Sequence, residues 1–169
     1  GLSDTIGSLA GAGSVTSGTP GSATLTSGGL NSSTTFSGVI SNGSGTLALV
    51  KNGTGTLTLS GVNTYSGTTM INAGSLSVAA DAGLGTAPAS ATPGQLTFNG
   101  GTLLASASFT LDPNRGIALG SAGTLSANSG VTLSYGGIIA GSGTLAKTGT
   151  GTLVLSGLNT YSGATTRSA

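Results

Sequence analysis

Side chains able to perform acid–base or metal chemistry are few and widely spaced. The carboxylates are Asp4, Asp81 and Asp112, and the chain of 169 residues contains no Glu, His, Cys or Trp. A Ser-His-Asp triad is therefore impossible, and paired-carboxylate catalysis would need two aspartates from separate segments to meet. We assign no catalytic, cofactor-binding or metal-binding residue, and we expect a non-enzymatic protein. A carbohydrate-processing protein is a less favoured alternative, because it would need a charged groove.

Basic side chains are equally sparse. Lys51, Arg115, Lys147 and Arg167 are scattered, and the net charge is +1. A nucleic-acid-binding surface needs a cluster of such residues, so no nucleic-acid partner is expected. Lys51 and Lys147 each precede a glycine turn, and we interpret both as solvated charges.

Two tyrosines occupy equivalent places in a repeated segment. Residues 51–69 return at 147–165 with an offset of 96 residues, and 15 of the 19 positions agree. Such self-similarity is typical of an array whose units bury their apolar faces against one another. Tyr65 and Tyr161 are either ligand-stacking platforms or, as we favour, rings packed over a turn in which an asparagine satisfies backbone groups. The predicted turn residues are Asn63, Tyr65, Gly67, Asn159, Tyr161 and Gly163.

Short runs of alternating polarity predict the elements that position these residues. The runs at 34–40, 56–60 and 102–105 are examples, and each reads as a half-buried strand. A hairpin-built sandwich would need two-residue turns and would produce no long repeat. A solenoid of parallel strands explains the repeat better, as about four or five coils of roughly 20 residues each. The predicted interior column consists of Leu57, Leu59, Leu153 and Leu155.

The whole chain, residues 1–169, is predicted to be one β-solenoid segment. Repeat copies are recognisable at 43–79 and 141–166, and a proline-containing stretch at 80–94 is predicted to be an irregular excursion. The second copy stops soon after Thr165, so we expect the chain to be a segment of a longer array.

The residues at 53–76 closely resemble the autotransporter-associated β-strand repeat of bacterial passenger domains. The segment reads Gly-Thr-Gly-Thr-Leu-Thr-Leu-Ser-Gly-Val-Asn-Thr-Tyr-Ser-Gly-Thr-Thr-Met-Ile-Asn-Ala-Gly-Ser-Leu. The resemblance implies an all-β, right-handed parallel β-helix displayed at the bacterial cell surface. It also implies an outer-membrane translocator barrel in the parent chain. Its repeats would form a stalk or adhesin segment and aid export.

Four other interpretations remain open. The first is a subunit of an extracellular filament, assembled by end-to-end stacking of coils, because unpaired strand edges invite another chain. Lateral homotypic assembly and binding of an unidentified host or surface ligand are also considered. An ice-binding surface is less favoured, since the pattern Thr54-x-Thr56-x-Thr58 would have to recur in register on nearly every coil.

Overall fold

The computed structural model describes residues 2–168 and contains nineteen strands, all paired in parallel. The strands are β1 (Asp4–Ile6), β2 (Ser14–Ser17), β3 (Ser22–Ser27), β4 (Thr34–Phe36), β5 (Val39–Gly43), β6 (Thr46–Lys51), β7 (Thr56–Leu59), β8 (Thr69–Ile71), β9 (Ser75–Val78), β10 (Thr92–Phe98), β11 (Thr102–Ala105), β12 (Phe109–Leu111), β13 (Arg115–Leu119), β14 (Gly123–Ala127), β15 (Thr132–Tyr135), β16 (Ile139–Gly141), β17 (Leu145–Thr148), β18 (Thr152–Leu155) and β19 (Thr165–Arg167). A single 3-10 turn, Asp81–Leu84, is the only helical element among the described residues. No helix within residues 2–168 is long and apolar enough to cross a membrane.

The strands form a β-solenoid with three faces. The first face is a seven-stranded sheet in the order β1-β3-β6-β8-β10-β13-β16. The second face is another seven-stranded sheet, β4-β7-β9-β11-β14-β17-β19. The third face contains the pair β2-β5 and the triplet β12-β15-β18. Each coil visits the faces in this order, so the predicted parallel β-solenoid is confirmed, with about seven turns.

Alternating burial along strands such as β6 and β7 builds the interior. In β6 and β7 every second side chain is buried, and the register places these residues directly above those of the coil below. On the second face, Leu57 stacks under Leu76, Leu76 under Leu103 and Leu103 under Leu125. Each buried leucine contributes roughly 1.5–3 kcal/mol, so this interior stabilises a chain that has almost no charge pairs.

One sequence segment that predicts a single strand forms two separate strands. Residues 34–40 divide into β4 and β5, because Ser37 and Gly38 turn the chain from the second face to the third. A Cβ on Gly38 would lie 2.0 Å from the Gly13 carbonyl oxygen, so the corner requires glycine. Such a corner cannot be predicted from the sequence pattern alone, because buried and exposed residues continue to alternate through the bend.

Threonine and serine cover much of the second face. One outward column contains Thr56, Ser75, Thr102, Thr124, Ala146 and Thr166 in register. The neighbouring column contains Thr35, Thr58, Ser77, Leu104, Ser126 and Thr148, of which Ser77 and Ser126 are buried. Ala146 and Leu104 interrupt the two columns. The threonine pattern at 54–58 recurs at Thr148-x-Thr150-x-Thr152. The two copies do not form an array, because Thr56 and Thr58 lie on the second face while Thr152 lies on the third.

Coil length varies, and one coil is much longer than its neighbours. Paired residues are 19 positions apart from Leu57 to Leu76 and 27 apart from Leu76 to Leu103. The long coil contains the excursion predicted at 80–94, although β10 already begins at Thr92 and carries a register shift before Leu96. The corner after the first face is joined by an amide ladder, in which Asn99 Nδ2 donates to Asn72 Oδ1 (3.1 Å) and Asn72 Nδ2 donates to Asn52 Oδ1 (2.8 Å).

Candidate functional site

The two repeat copies lie on different faces of the solenoid. Leu57 and Leu59 belong to β7 on the second face, whereas Leu153 and Leu155 belong to β18 on the third. The predicted single interior column is therefore wrong. The reason is coil length. The column that starts at Leu57 reaches Lys147 after four coils, which is 90 residues. A residue 96 positions after Leu57 therefore lies beyond the next corner, on another face. Leu57 and Leu59 are buried, and Leu153 and Leu155 are half-buried.

Each copy nevertheless builds the same corner. Asn63 Oδ1 accepts the Ile40 N–H at 2.8 Å, and Asn159 Oδ1 accepts the Ile139 N–H at 2.9 Å. In both copies the asparagine thus satisfies a backbone donor of the coil below. The contact forms on the third face in the first copy and on the first face in the second copy. The repeat sequence therefore determines the structure of the corner, but not the face of the solenoid on which the corner lies.

The tyrosines close these corners from inside. The Tyr65 hydroxyl lies 2.8 Å from Thr69 Oγ1, and the Tyr161 hydroxyl lies 2.5 Å from Thr165 Oγ1. Tyr65 is completely buried, so its ring offers no surface on which a ligand could stack. Tyr161 is half-buried in the last coil. Tyr65 is therefore a ring packed over a turn and not a platform for ligand stacking.

Gly67 and Gly163 let the chain leave the corner. A Cβ would lie 2.4 Å from the Leu47 carbonyl oxygen at Gly67 and 2.1 Å from the Gly143 carbonyl oxygen at Gly163. Both distances are shorter than any real contact, so the backbone of the coil below approaches too closely for a side chain. The spacing Asn-x-Tyr-x-Gly therefore has a steric cause in both copies.

Lys51 is buried, contrary to the interpretation as a solvated charge. Lys51 and Leu49 both face the interior in the alternating pattern of β6, and only 1% of Lys51 is exposed. The ammonium donates to the carbonyl oxygens of Asn52 (2.6 Å), Gly53 (2.9 Å) and Ala73 (3.3 Å). Burial lowers the Lys51 pKa below its usual value. Lys147, which is half-buried, repeats one of these contacts by donating to the Gly149 carbonyl.

The structure brings Asp81 and Asp112 together beside Arg115. Asp81 Oδ1 accepts the Asp112 N–H at 3.0 Å, and Asp81 also pairs with Arg115, whose Nε lies 2.8 Å from Asp81 Oδ1. Asp112 Oδ1 accepts the Asn114 N–H. No group of three or more metal-ligating side chains occurs within residues 2–168. The arrangement is a structural ion pair, and sequence reasoning missed it because 34 positions separate Asp81 from Arg115.

Alkaline pH should weaken the rod through its buried tyrosines. Burial raises the pKa of Tyr65 to about 12 from its usual value of 10.0. Between these two values the unfolded chain ionises while the folded chain does not, so the free energy of unfolding falls by on the order of 2–3 kcal/mol for this group. Tyr65→Phe should show a shallower loss of stability over that pH range in urea titrations. If the free energy of unfolding fell as steeply with pH in Tyr65→Phe as in the wild type, Tyr65 would not be the cause of the alkaline loss of stability.

Comparison with known proteins identifies the repeat. A family model described as the passenger-associated transport repeat matches residues 49–78 and 145–166, which include both corners. The chain is 42% identical over 106 residues to the adhesin BmaC autotransporter of Brucella suis biovar 1 (strain 1330). That match covers 62% of this chain and 3% of the relative, so the chain spans a small part of the relative's length. No solved structure matches. The chain therefore contains two copies of the passenger-associated transport repeat and is similar to a small part of an autotransporter adhesin.

Proposed function

We propose that this segment is a non-enzymatic, surface-displayed stalk or adhesin segment that aids its own export and display. The observation that carries the proposal is the uninterrupted pairing of seven strands on each of the first two faces. Such ladders form a stiff rod whose coils rise by about 4.8 Å each. The parent chain would carry the outer-membrane translocator barrel through which the passenger leaves.

Export would be aided by stepwise folding of the coils. Each coil presents backbone donors and acceptors along its upper edge, and the next coil pairs with them in register. Burial of the inward leucines then makes the added coil unlikely to detach, because each contributes roughly 1.5–3 kcal/mol. A segment that folds outside the cell would thereby bias movement in the outward direction.

A surface-arrival experiment in the parent protein tests this role. Leu57→Ala/Leu59→Ala should slow the appearance of the passenger at the surface, measured by protease accessibility on intact cells against total cellular protein. Thr58→Ala is the matched control, because Thr58 lies between these leucines in β7 but points outward. Arrival of the double variant at the normal rate would contradict the export role.

Binding to a host molecule or another surface is a further part of the proposal. Its support is the similar relative, which is named an adhesin. The outer surface of the second face offers hydroxyl groups rather than charges, so any ligand there would be recognised by hydrogen bonding and shape. No particular residue is assigned to this contact.

A filament assembled from stacked coils is the second candidate. Its support is the parallel pairing of successive coils, a register that a coil of a second copy could continue. Light scattering and negative-stain electron microscopy over a concentration series should show fibres of one diameter that lengthen with concentration. Discrete short particles at all concentrations would exclude the filament.

A further inference from the structure

The third face is interrupted in the middle of the rod. Its strands β5 and β12 are separated by the segments 60–66 and 79–91, neither of which forms a strand. The first and second faces continue past the same level through β6, β8 and β10, and through β7, β9 and β11. One side of the rod therefore lacks the strand ladder that holds the other two sides.

Repeat residues hold the segment 80–91 from below. Asn63 donates its backbone N–H to the Ala82 carbonyl (3.0 Å) and its Nδ2 to the Gly83 carbonyl (2.7 Å). The Thr86 N–H donates to the Tyr65 carbonyl at 2.8 Å. These are individual contacts rather than a continuous ladder.

Three residues of the coil above hold the same segment from the other side. The Asp112 N–H donates to Asp81 Oδ1 (3.0 Å) and Asn114 Nδ2 donates to the Pro88 carbonyl (3.0 Å), while the Arg115 guanidinium makes the largest number of contacts. Arg115 Nε and Nη2 donate to the two Asp81 carboxylate oxygens at 2.8 Å and 3.0 Å. Nη1 donates to the Leu84 carbonyl at 3.0 Å, and Nη2 also donates to the Gly85 carbonyl at 2.5 Å. The Arg115 side chain is 2% exposed and the Asp81 side chain is 24% exposed. Arg115 thus contacts the beginning and the middle of the segment with one planar group.

We propose that residues 80–91 form a flap that opens locally on the third face, and that Arg115 is the latch that keeps it closed. Segments with few backbone ladder bonds and few buried apolar contacts open at a lower free energy than the surrounding fold. Leu84 is the one large apolar side chain that the flap buries. With the flap open, the ladders of the other two faces remain, so the rod stays stacked and gains a compliant point on one side. This device is independent of the export and adhesion roles.

Native-state hydrogen exchange of the intact chain, followed by mass spectrometry, tests the latch. Arg115→Lys keeps the charge but loses the fork that binds Asp81, Leu84 and Gly85 together. Amides of residues 80–91 should exchange at least about tenfold faster in this variant, while those of β7, β9 and β14 keep their rates. Arg167→Lys makes the same chemical change at an exposed position and should alter neither group.

Three outcomes would overturn the proposal. Uniform acceleration in all strands would show that Arg115 supports the whole fold rather than a local flap. Unchanged exchange of residues 80–91 would show that the guanidinium is not the latch. Unprotected exchange of the flap in the wild-type chain would show that no closed state needs one. If Arg115→Lys fails to fold, the double variant Asp81→Ala/Arg115→Met removes the latch without leaving a buried charge unpaired, and the same comparison applies.

Discussion

Replacing Leu59 with alanine is expected to lower the free energy of unfolding by about 2–5 kcal/mol. Leu59 is 1% exposed and lies in register between Phe36 in the coil below and Val78 in the coil above. Removal of its side chain leaves a cavity that the two neighbouring strands cannot fill, because their backbones are fixed by ladder bonds. Urea unfolding monitored by circular dichroism measures the change.

The second repeat copy supplies the matched control. Leu155 occupies the equivalent sequence position, but it is half-buried above Tyr135 in the last coil that has a strand on the third face. Leu155→Ala should therefore cost only about 1 kcal/mol. Equal losses for the two variants would show that the sequence of the repeat, rather than its place in the stack, determines the contribution of its leucines.

The fold itself was predictable from the sequence, because the signals that specify it are local. Alternation in runs such as Thr56–Leu59 predicts strands, and the long repeat excludes a hairpin-built sandwich. The corner residues Asn63 and Tyr65 were also identifiable, since they return unchanged at Asn159 and Tyr161. Their bonding partners in the coil below were not, because no local pattern names the residue that lies one coil away.

The relation between the two copies could not be predicted from the repeat. Stacking identical residues in one column assumes that the offset is a whole number of coils, and the coil from Leu76 to Leu103 is longer than the others. That extra length belongs to the flap, whose proline-containing sequence indicates a loop but not the number of residues the loop adds to the coil. Lys51 was misinterpreted for a different reason: its charge was weighed more heavily than its place in the same alternation as Leu49.

The displacement of the two repeat copies by one face also affects the outer surface of the rod. The turn residues Val62 and Leu158, which are equivalent in the two copies, are 66% and 88% exposed. Because the copies are displaced by one face, these apolar side chains emerge at different corners. A repeat that builds its own corner can therefore be inserted at any face, and the rod does not accumulate an apolar stripe along one edge, which would favour aggregation.

Removal of the Asp81 carboxylate is expected to be as damaging as the loss of a core leucine, although Asp81 is partly exposed. Asp81→Ala leaves the guanidinium of Arg115 buried with carbonyl partners only, and breaking such a pair from one side costs about 3–5 kcal/mol. Asp4→Ala is the control, since Asp4 is exposed and its carboxylate, among residues 2–168, accepts only the neighbouring Thr5 N–H. Its effect should be within about 0.5 kcal/mol.

The double variant Asp81→Ala/Arg115→Met separates the cost of an unpaired charge from the value of the pair. Methionine restores apolar volume around Leu84 without a buried charge, so the double variant should regain part of the stability that Asp81→Ala loses. Urea unfolding of the wild-type chain, Asp81→Ala, Arg115→Met and the double variant gives the coupling free energy. A loss below about 1 kcal/mol for Asp81→Ala would mean that the Leu84 and Gly85 carbonyls alone solvate the guanidinium, and the pair would then add little to the stability of the rod.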